Sequence, residues 1–293
     1  MLILPPDADI LSPVDDHIFK TLMTHPEAKP VLIDVLSSSM NRNVTDAAVR
    51  NNELPISDDN EKGERFDVNC IIDHKDHKDQ ADVEMHGSHI QEVDDSHTSF
   101  INKYMYYLTD LHSAQPSKGK KYHELARTYQ ITFCNYTIYP NWKDYITRSA
   151  MRTEDGELIT DQINFILVEL SKLDEILKKP VDKLTPLEMW SIFFKFAPDV
   201  KRRDVVNKVI AEKGEIAMAG ALLMEISQDE HQRAKYRSRR MFEHDKFHNE
   251  ATAEERGGNL AMLKVARSMK AAGEPTSKIT QHTGLTAAEV EKA

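Results

Sequence analysis

Apolar and polar residues alternate most regularly in two stretches between Glu64 and His86. The first reads E-R-F-D-V-N-C-I-I-D, with Phe66, Val68 and Cys70 on one side of the alternation and Asp67 and Asn69 on the other. The second, Q-A-D-V-E-M-H, sets Val83 and Met85 against Asp82, Glu84 and His86. A period of two residues marks a half-buried strand. The intervening run from His74 to Asp79 has the polarity of a turn. The pattern predicts a hairpin with one apolar face on a core and one polar face open to solvent.

Helical spacing frames this hairpin. Ser12 to Met23 reads as a helix with Pro13 in its first turn, Asp15 and Asp16 near its positive end, and Ile18, Phe19 and Leu22 on its apolar face. A second helix spans Ala28 to Ser38, and Asn51 to Gly63 is polar and rich in turn formers. His97 to Leu111 places Phe100, Ile101, Tyr104, Leu108 and Leu111 at helical intervals. Tyr129 to Ile138 reads as a strand, and Asp161 introduces a second apolar run from Ile163 to Leu170. Beyond Leu173 the signal is helical. Pro186 opens an aromatic helix, Ala211 to Met224 is rich in alanine and methionine, and Tyr236 to Glu255 has no clean period. At the end, Ile279, Gly284, Leu285 and Val290 have the spacing of a helix, a glycine turn and a helix. That texture fits a DNA-reading helix-turn-helix fragment or a helical hairpin docking on its own chain. The few basic residues between Ala287 and Ala293 favour the second at least equally. An α/β core over residues 1–172 and a helical extension over residues 173–293 are expected.

Composition changes this picture little. The chain has 293 residues, 40% of them hydrophobic and 29% charged, as in a soluble and largely helical protein. No apolar run is long enough to span a membrane, and the first residues lack the basic region of a signal peptide. The two cysteines, Cys70 and Cys134, lie in apolar strands, which predicts buried free thiols in a reducing cytoplasm. A net charge of −10 argues against a protein that coats nucleic acid unspecifically. Basic residues do cluster at Lys118–Lys121, Lys201–Arg203 and Arg233–Arg240; the second cluster, followed at once by Asp204, reads as a solvated face.

The chemistry sits on the hairpin. Paired strands would put Asp67 beside Glu84 and His86 on one face, and converging carboxylates are hard-oxygen ligands for Mg²⁺ or Mn²⁺. A divalent ion there could activate water and stabilise charge on a phosphodiester. On spacing alone, a solvated polar face is the commoner reason for such a pattern. Five of the thirteen histidines fall between His74 and His97, which also raises a zinc reading, including a zinc-dependent hydrolase. No cysteine pair and no H-E-x-x-H helix accompanies them, so adventitious Ni²⁺ or Zn²⁺ binding is the plainer expectation.

An aspartate, a turn, then Glu-x-(Lys or Gln) across a hairpin resembles the PD-(D/E)XK nuclease core. The wider pattern is similar to the Rpn family of recombination-promoting nucleases and transposases. Phe66-Asp67-Val68 and Glu84-Met85-His86 match its "lDv" and "EmQ" strands, with histidine in the third position. Asp16 to Lys20 matches its "D-x-x-F-K"; Lys103 with Tyr106 and Tyr107 stands for "R-x-x-y-Y". Gln115, Gly119 and Tyr122 resemble "Q-x-x-G-x-x-Y" with a short insertion, and Val168 to Lys172 resembles "iELpK". The resemblance implies a restriction-endonuclease-like α/β fold, a central mixed sheet flanked by helices with an all-helical C-terminal extension. It implies a Mg²⁺- or Mn²⁺-dependent DNA endonuclease in which Asp67 and Glu84 hold the metal and His86 positions the attacking water. Asp16 and Lys20 would border the site, while Lys103 and Gln115 would contact phosphate. DNA is the implied partner, a homodimer is compatible, and the cytoplasm is the expected compartment. The alternative is a nuclease-like fold that binds DNA or a protein without cutting.

Overall fold

The protein is described here by a computed structural model, covering residues 3–50, 68–74, 77–87, 96–115 and 121–293. The first helix, α1 (Asp16–Met23), starts where the Asp15 carboxylate accepts the backbone N–H of Ile18 at 3.1 Å. It buries Ile18, Phe19, Leu22 and Met23. Helix α2 (Lys29–Met40) carries Pro30 in its first turn and ends at Asn41 in the left-handed conformation. Six strands follow: β1 (Asp46–Val49), β2 (Val68–Asp73), β3 (Lys78–His86), β4 (Thr128–Cys134), β5 (Ile146–Arg152) and β6 (Leu158–Glu169). They form one sheet in the order β1-β2-β3-β4-β6-β5.

The hairpin of β2 and β3 is antiparallel, pairing Val68 with Val83 and Asn69 with Asp82. The β3–β4 and β4–β6 pairs are parallel, and the outer pairs are antiparallel, so the sheet is mixed. Between β3 and β4 the chain crosses through α3 (Ser96–Ser113), as a parallel pair requires. One face of the sheet presents Val83, Met85, Ile131 and Phe133, all buried. Phe133 meets Phe19 of α1 at 6.1 Å and Phe194 at 5.2 Å between ring centroids. Phe194 belongs to α4 (Pro186–Phe196), whose start is fixed by a reciprocal capping box between Thr185 and Glu188.

The opposite face departs from expectation. Asp82 and Gln130 have no exposed surface and Glu84 is only 6% exposed. The polar side of the hairpin is therefore not solvated. Two causes combine: β3 is an interior strand with neighbours on both edges, and α3 lays Phe100, Tyr104 and Leu108 against Phe165 and Leu167 on that same side. The edge strands β1 and β5 were not legible as strands, because neither alternates strongly. The turn is also shorter than expected, since β3 already begins at Lys78.

The helices after the sheet pack onto it. The alanine- and methionine-rich stretch is split at Lys213 into α5 (Arg203–Glu212) and α6 (Gly214–Gln228). Arg203 is not part of a solvated basic face: it is 3% exposed and donates to the carbonyls of Ala197 and Ala8 at 2.8 and 3.0 Å. The sequence divides the chain after residue 172, whereas contacts gather Met1–Arg233 into one compact unit and Ala234–Ala293 into a second. Helix α7 (Glu230–Ala271) runs into the second unit, which ends in α8 (Thr276–Thr283) and α9 (Ala287–Lys292). Ile279 and Val290 of this tail are buried with Ala266 of α7, and Gly284 turns the chain at φ 71°. The tail thus docks on its own chain. Among the described residues no helix is long and apolar enough to cross a membrane. Both cysteines are buried free thiols, each raised to about 12, chiefly by burial.

Because Phe194 touches both Phe19 and Phe133, α4 is structurally part of the sheet unit. Phe194→Ala is expected to destabilise that unit by about 3–5 kcal/mol. Chemical denaturation followed by tryptophan fluorescence checks this; a loss below about 1 kcal/mol would mean that α4 is peripheral.

Candidate active site

Strand β3 carries Gln80, Asp82, Glu84 and His86 in phase on the face beneath α3. Their neighbours on β4 in the same rows are Thr128, Gln130, Thr132 and Cys134. Asp82 Oδ2 accepts from the Gln130 side-chain amide at 2.9 Å. Glu84 Oε2 accepts from the Tyr104 hydroxyl of α3 at 3.4 Å, so the helix aims a donor at the carboxylate. Beside them, Gln130 Oε1 and Thr132 Oγ1 are buried and have no hydrogen-bond partner among the described residues. A buried oxygen-rich cluster of carboxylates, an amide and a hydroxyl results.

His86 stands two residues further along, half-buried in an aromatic surround. Its ring meets Phe100, Tyr104 and Tyr136 edge-on at 5.5, 6.4 and 5.4 Å between centroids. Its Nδ1 lies 2.9 Å from the Tyr136 hydroxyl. Burial raises the Tyr136 phenol well above its ordinary value, so that hydroxyl keeps its proton. Either the phenol proton or the ring proton can bridge the pair, and the bond holds the orientation of the His86 ring. The His86 carbonyl accepts from the Asn135 backbone, and the Asn135 side chain in turn binds the ammonium of Lys195 from α4. Burial lowers the affinity of Lys195 for its proton.

The remaining candidates are dispersed. Asp67 lies outside the described residues, one position before β2. Lys103 is exposed on α3, with its ammonium over the rings of Tyr104 and Tyr107 at 4.9 and 5.3 Å. It is therefore next to the residue that reaches Glu84. Asp16 and Lys20 sit half-buried on α1, whose leading Val14 adjoins the end of β3 at Gly87. Gln115 is at the other end of the strands: its side chain bonds Ala126 and Thr128, and Thr128 lies four residues, roughly 13 Å, before the Glu84 row. A cleft of about 880 Å³, lined among others by Arg50, Asn69, His77, Gln80, Gln115 and Arg127, opens there.

Glu169 and Lys172 brace the site from behind. The buried Glu169 accepts from the backbones of Ile138 and Tyr139 at 2.6 and 3.0 Å and pairs with Lys172 at 2.5 Å. These bonds hold the chain that leaves β4 past Tyr136. Sequence reasoning did not assign roles to Asp82, Gln130, Thr132, Tyr136 or Lys195. Asp82 was visible in phase with Glu84, whereas the others meet the site only through pairing between distant strands and helices.

A family model described as "PD-(D/E)XK nuclease family transposase" matches residues 13–253. No curated protein and no solved structure matches significantly.

Gly87 couples the strand end to α1. A Cβ built there would lie 2.2 Å from the Val14 carbonyl oxygen, a backbone atom with little freedom to yield. Gly87→Ala is expected to destabilise by about 1–3 kcal/mol, opposite in sign to the small gain such a change brings at an unstrained position. Thermal denaturation of the variant measures it, and unchanged or raised stability would remove the close approach of α1 to β3.

Proposed function

We propose that this chain, which belongs to the PD-(D/E)XK nuclease family transposases, is a metal-dependent endonuclease that hydrolyses DNA phosphodiester bonds in the movement or recombination of mobile elements. The observation that supports the reading is that Glu84 and His86 share one face of β3 under Tyr104, in the stretch that resembles the family's "EmQ" strand. The all-oxygen set of Glu84, Thr132 and Gln130 suits a hard divalent cation, which Asp67 and Glu84 would hold. When bound, Mg²⁺ or Mn²⁺ supplies Lewis acidity toward the phosphate and lowers the pKa of water.

The chain's own residues do the rest. Tyr104 orients the Glu84 carboxylate, Tyr136 orients the His86 ring, and His86 serves to orient a nucleophilic water. Lys103, exposed on α3, would contact phosphate, and Asp16 and Lys20 of α1 would border the site. DNA is the proposed substrate and the cytoplasm the proposed compartment.

Asp67→Ala and Glu84→Ala are each expected to lower Mg²⁺-dependent nicking of supercoiled plasmid by at least about 100-fold, because each removes a charged ligand. The comparison includes Mn²⁺ and EDTA arms. Full cutting by either folded variant would sink the assignment. Burial of Glu84 favours a second reading, a nuclease-like module that binds without cutting; DNA retardation without metal, and no nicking with it, would select that reading.

His86→Gln is expected to keep substantial activity, since glutamine also offers one donor and one acceptor, while His86→Ala is expected to fall by about 10²–10⁴-fold. Single-turnover rates of the three proteins decide the matter. Equal rates would leave His86 as a packing residue.

A further inference from the structure

At the opposite end of β3 the hairpin turn gathers a second set of ligand atoms. His74, at the end of β2, and His77, just before β3, stack their rings 4.4 Å apart at 15°. Asp79 faces both: its Oδ2 is 3.2 Å from His74 Nε2 and its Oδ1 is 3.8 Å from His77 Nε2. One ligand atom from each of the three residues falls within 4.8 Å of the others. Asp79 has no exposed surface, and its Oδ1 is buried without a hydrogen-bond partner among the described residues. A fully buried carboxylate oxygen turned toward two imidazole nitrogens is costly unless a cation completes it.

The neighbouring cation is Arg127, whose Nη1 stands 3.2 Å from His77 Nε2 and 3.9 Å from Asp79 Oδ1. Neither contact is a close ion pair with Asp79. Arg127 is instead ion-paired with Asp161, whose Oδ2 lies 2.9 Å from its Nε and also takes Arg42 at 2.9 Å. Arg127 can therefore keep its charge balanced while giving up the His77 lone pair.

We propose that His74, His77 and Asp79 form a binding site for a borderline transition-metal ion, Zn²⁺ foremost, that pins the β2–β3 turn. Two imidazole nitrogens and one carboxylate oxygen make up a donor set that zinc prefers and that Mg²⁺ does not. Zinc bonds of about 2.0–2.2 Å put tetrahedral ligand atoms roughly 3.3–3.6 Å apart, which a small closing of a triad already within 4.8 Å reaches. The exposed side of His77 and the cleft lined by His77, Asp79 and Arg127 give the ion an entry path and leave one coordination position for water. This site does not rest on the nuclease reading. Asp79 and Glu84 are five residues apart on one strand, roughly 17 Å, and their donor sets differ.

The test uses the full chain without an affinity tag, freed of metal by a chelator, with Zn²⁺ alone titrated against a chromophoric competitor. Wild type is expected to bind one Zn²⁺ per chain and to gain thermal stability from it. His74→Ala and His77→Ala should each weaken binding by at least about tenfold and lose that gain. Asp79→Asn should do the same, and His77→Ala, whose side chain is partly exposed, covers the case in which the buried variant fails to fold. Arg127→Gln should bind at least as tightly as wild type. His25→Ala and Glu84→Ala should not change binding. Equal affinity in wild type and His77→Ala, or an equal loss in His25→Ala, would mean adventitious histidine binding and would overturn the site. Weaker binding by Arg127→Gln would overturn the ligand set.

Discussion

A strand that carries Gln80, Asp82, Glu84 and His86 on one face, yet lies in the interior of a six-stranded sheet, cannot leave those groups to water. Each buried polar atom costs on the order of 1–3 kcal/mol without a partner, and a charge costs more. The rest of the sheet face follows from meeting that cost. Gln80 donates to Leu111 of α3 and to Thr128, Asp82 takes Gln130, Glu84 takes Tyr104, and His86 takes Tyr136. Polar residues occur on β4 because they answer those on β3. Aromatic residues occur on α3 because a tyrosine covers apolar area and still brings a hydroxyl to an acid.

The other face needs few such answers and is built mainly from apolar contact. Phe19, Phe133 and Phe194 meet in edge-on or tilted pairs, with Trp190 stacked on Phe194 at 5.4 Å. Trp190 also donates to Asp34 at 2.6 Å, which ties α4 to α2. A rigid apolar layer under β3 is what allows a polar layer above it to keep fixed positions. Gly87 then sets how closely α1 approaches the strand end. The candidate site is thus supported by packing on the face away from it.

The hairpin, the body of α1 and the helix that begins at Pro186 were legible because each carries a strong local period or cap. Helix α1 nevertheless starts at Asp16 behind its Asp15 cap and not at Ser12. The tail was legible as helix, glycine turn and helix, but not as docking on its own chain. The partner residues of the site were not. Gln130 and Thr132 look like ordinary residues of an apolar strand until the parallel register sets them beside Asp82 and Glu84. Tyr104 reads as one more apolar helix position, and only the covering of the polar face gives its hydroxyl a purpose. Alternation reports that two faces differ but not which solvent each will meet. A strand polar on one side looks the same whether water or a helix covers that side. The "iELpK" resemblance was visible, whereas its structural job, bracing the chain after β4 through Glu169 and Lys172, needed the fold.

The two ends of β3 present different ligand chemistry for a simple structural reason. Near Glu84 the strand is flanked on both edges and covered by α3, so the groups present are oxygens supplied by paired strands. At the turn the chain is free of one neighbour, and His77 is partly exposed, so imidazoles can gather around a single buried carboxylate. Oxygen sets take hard cations and need several of them in a defined shell. Mixed nitrogen and oxygen sets bind later first-row metals more tightly at any given concentration. On the two proposals made above, one strand therefore discriminates between cations along its length, with catalysis assigned to the abundant, weakly held ion and the turn to the scarce, tightly held one. Such a division keeps a tightly bound ion away from the position where an exchangeable one is required.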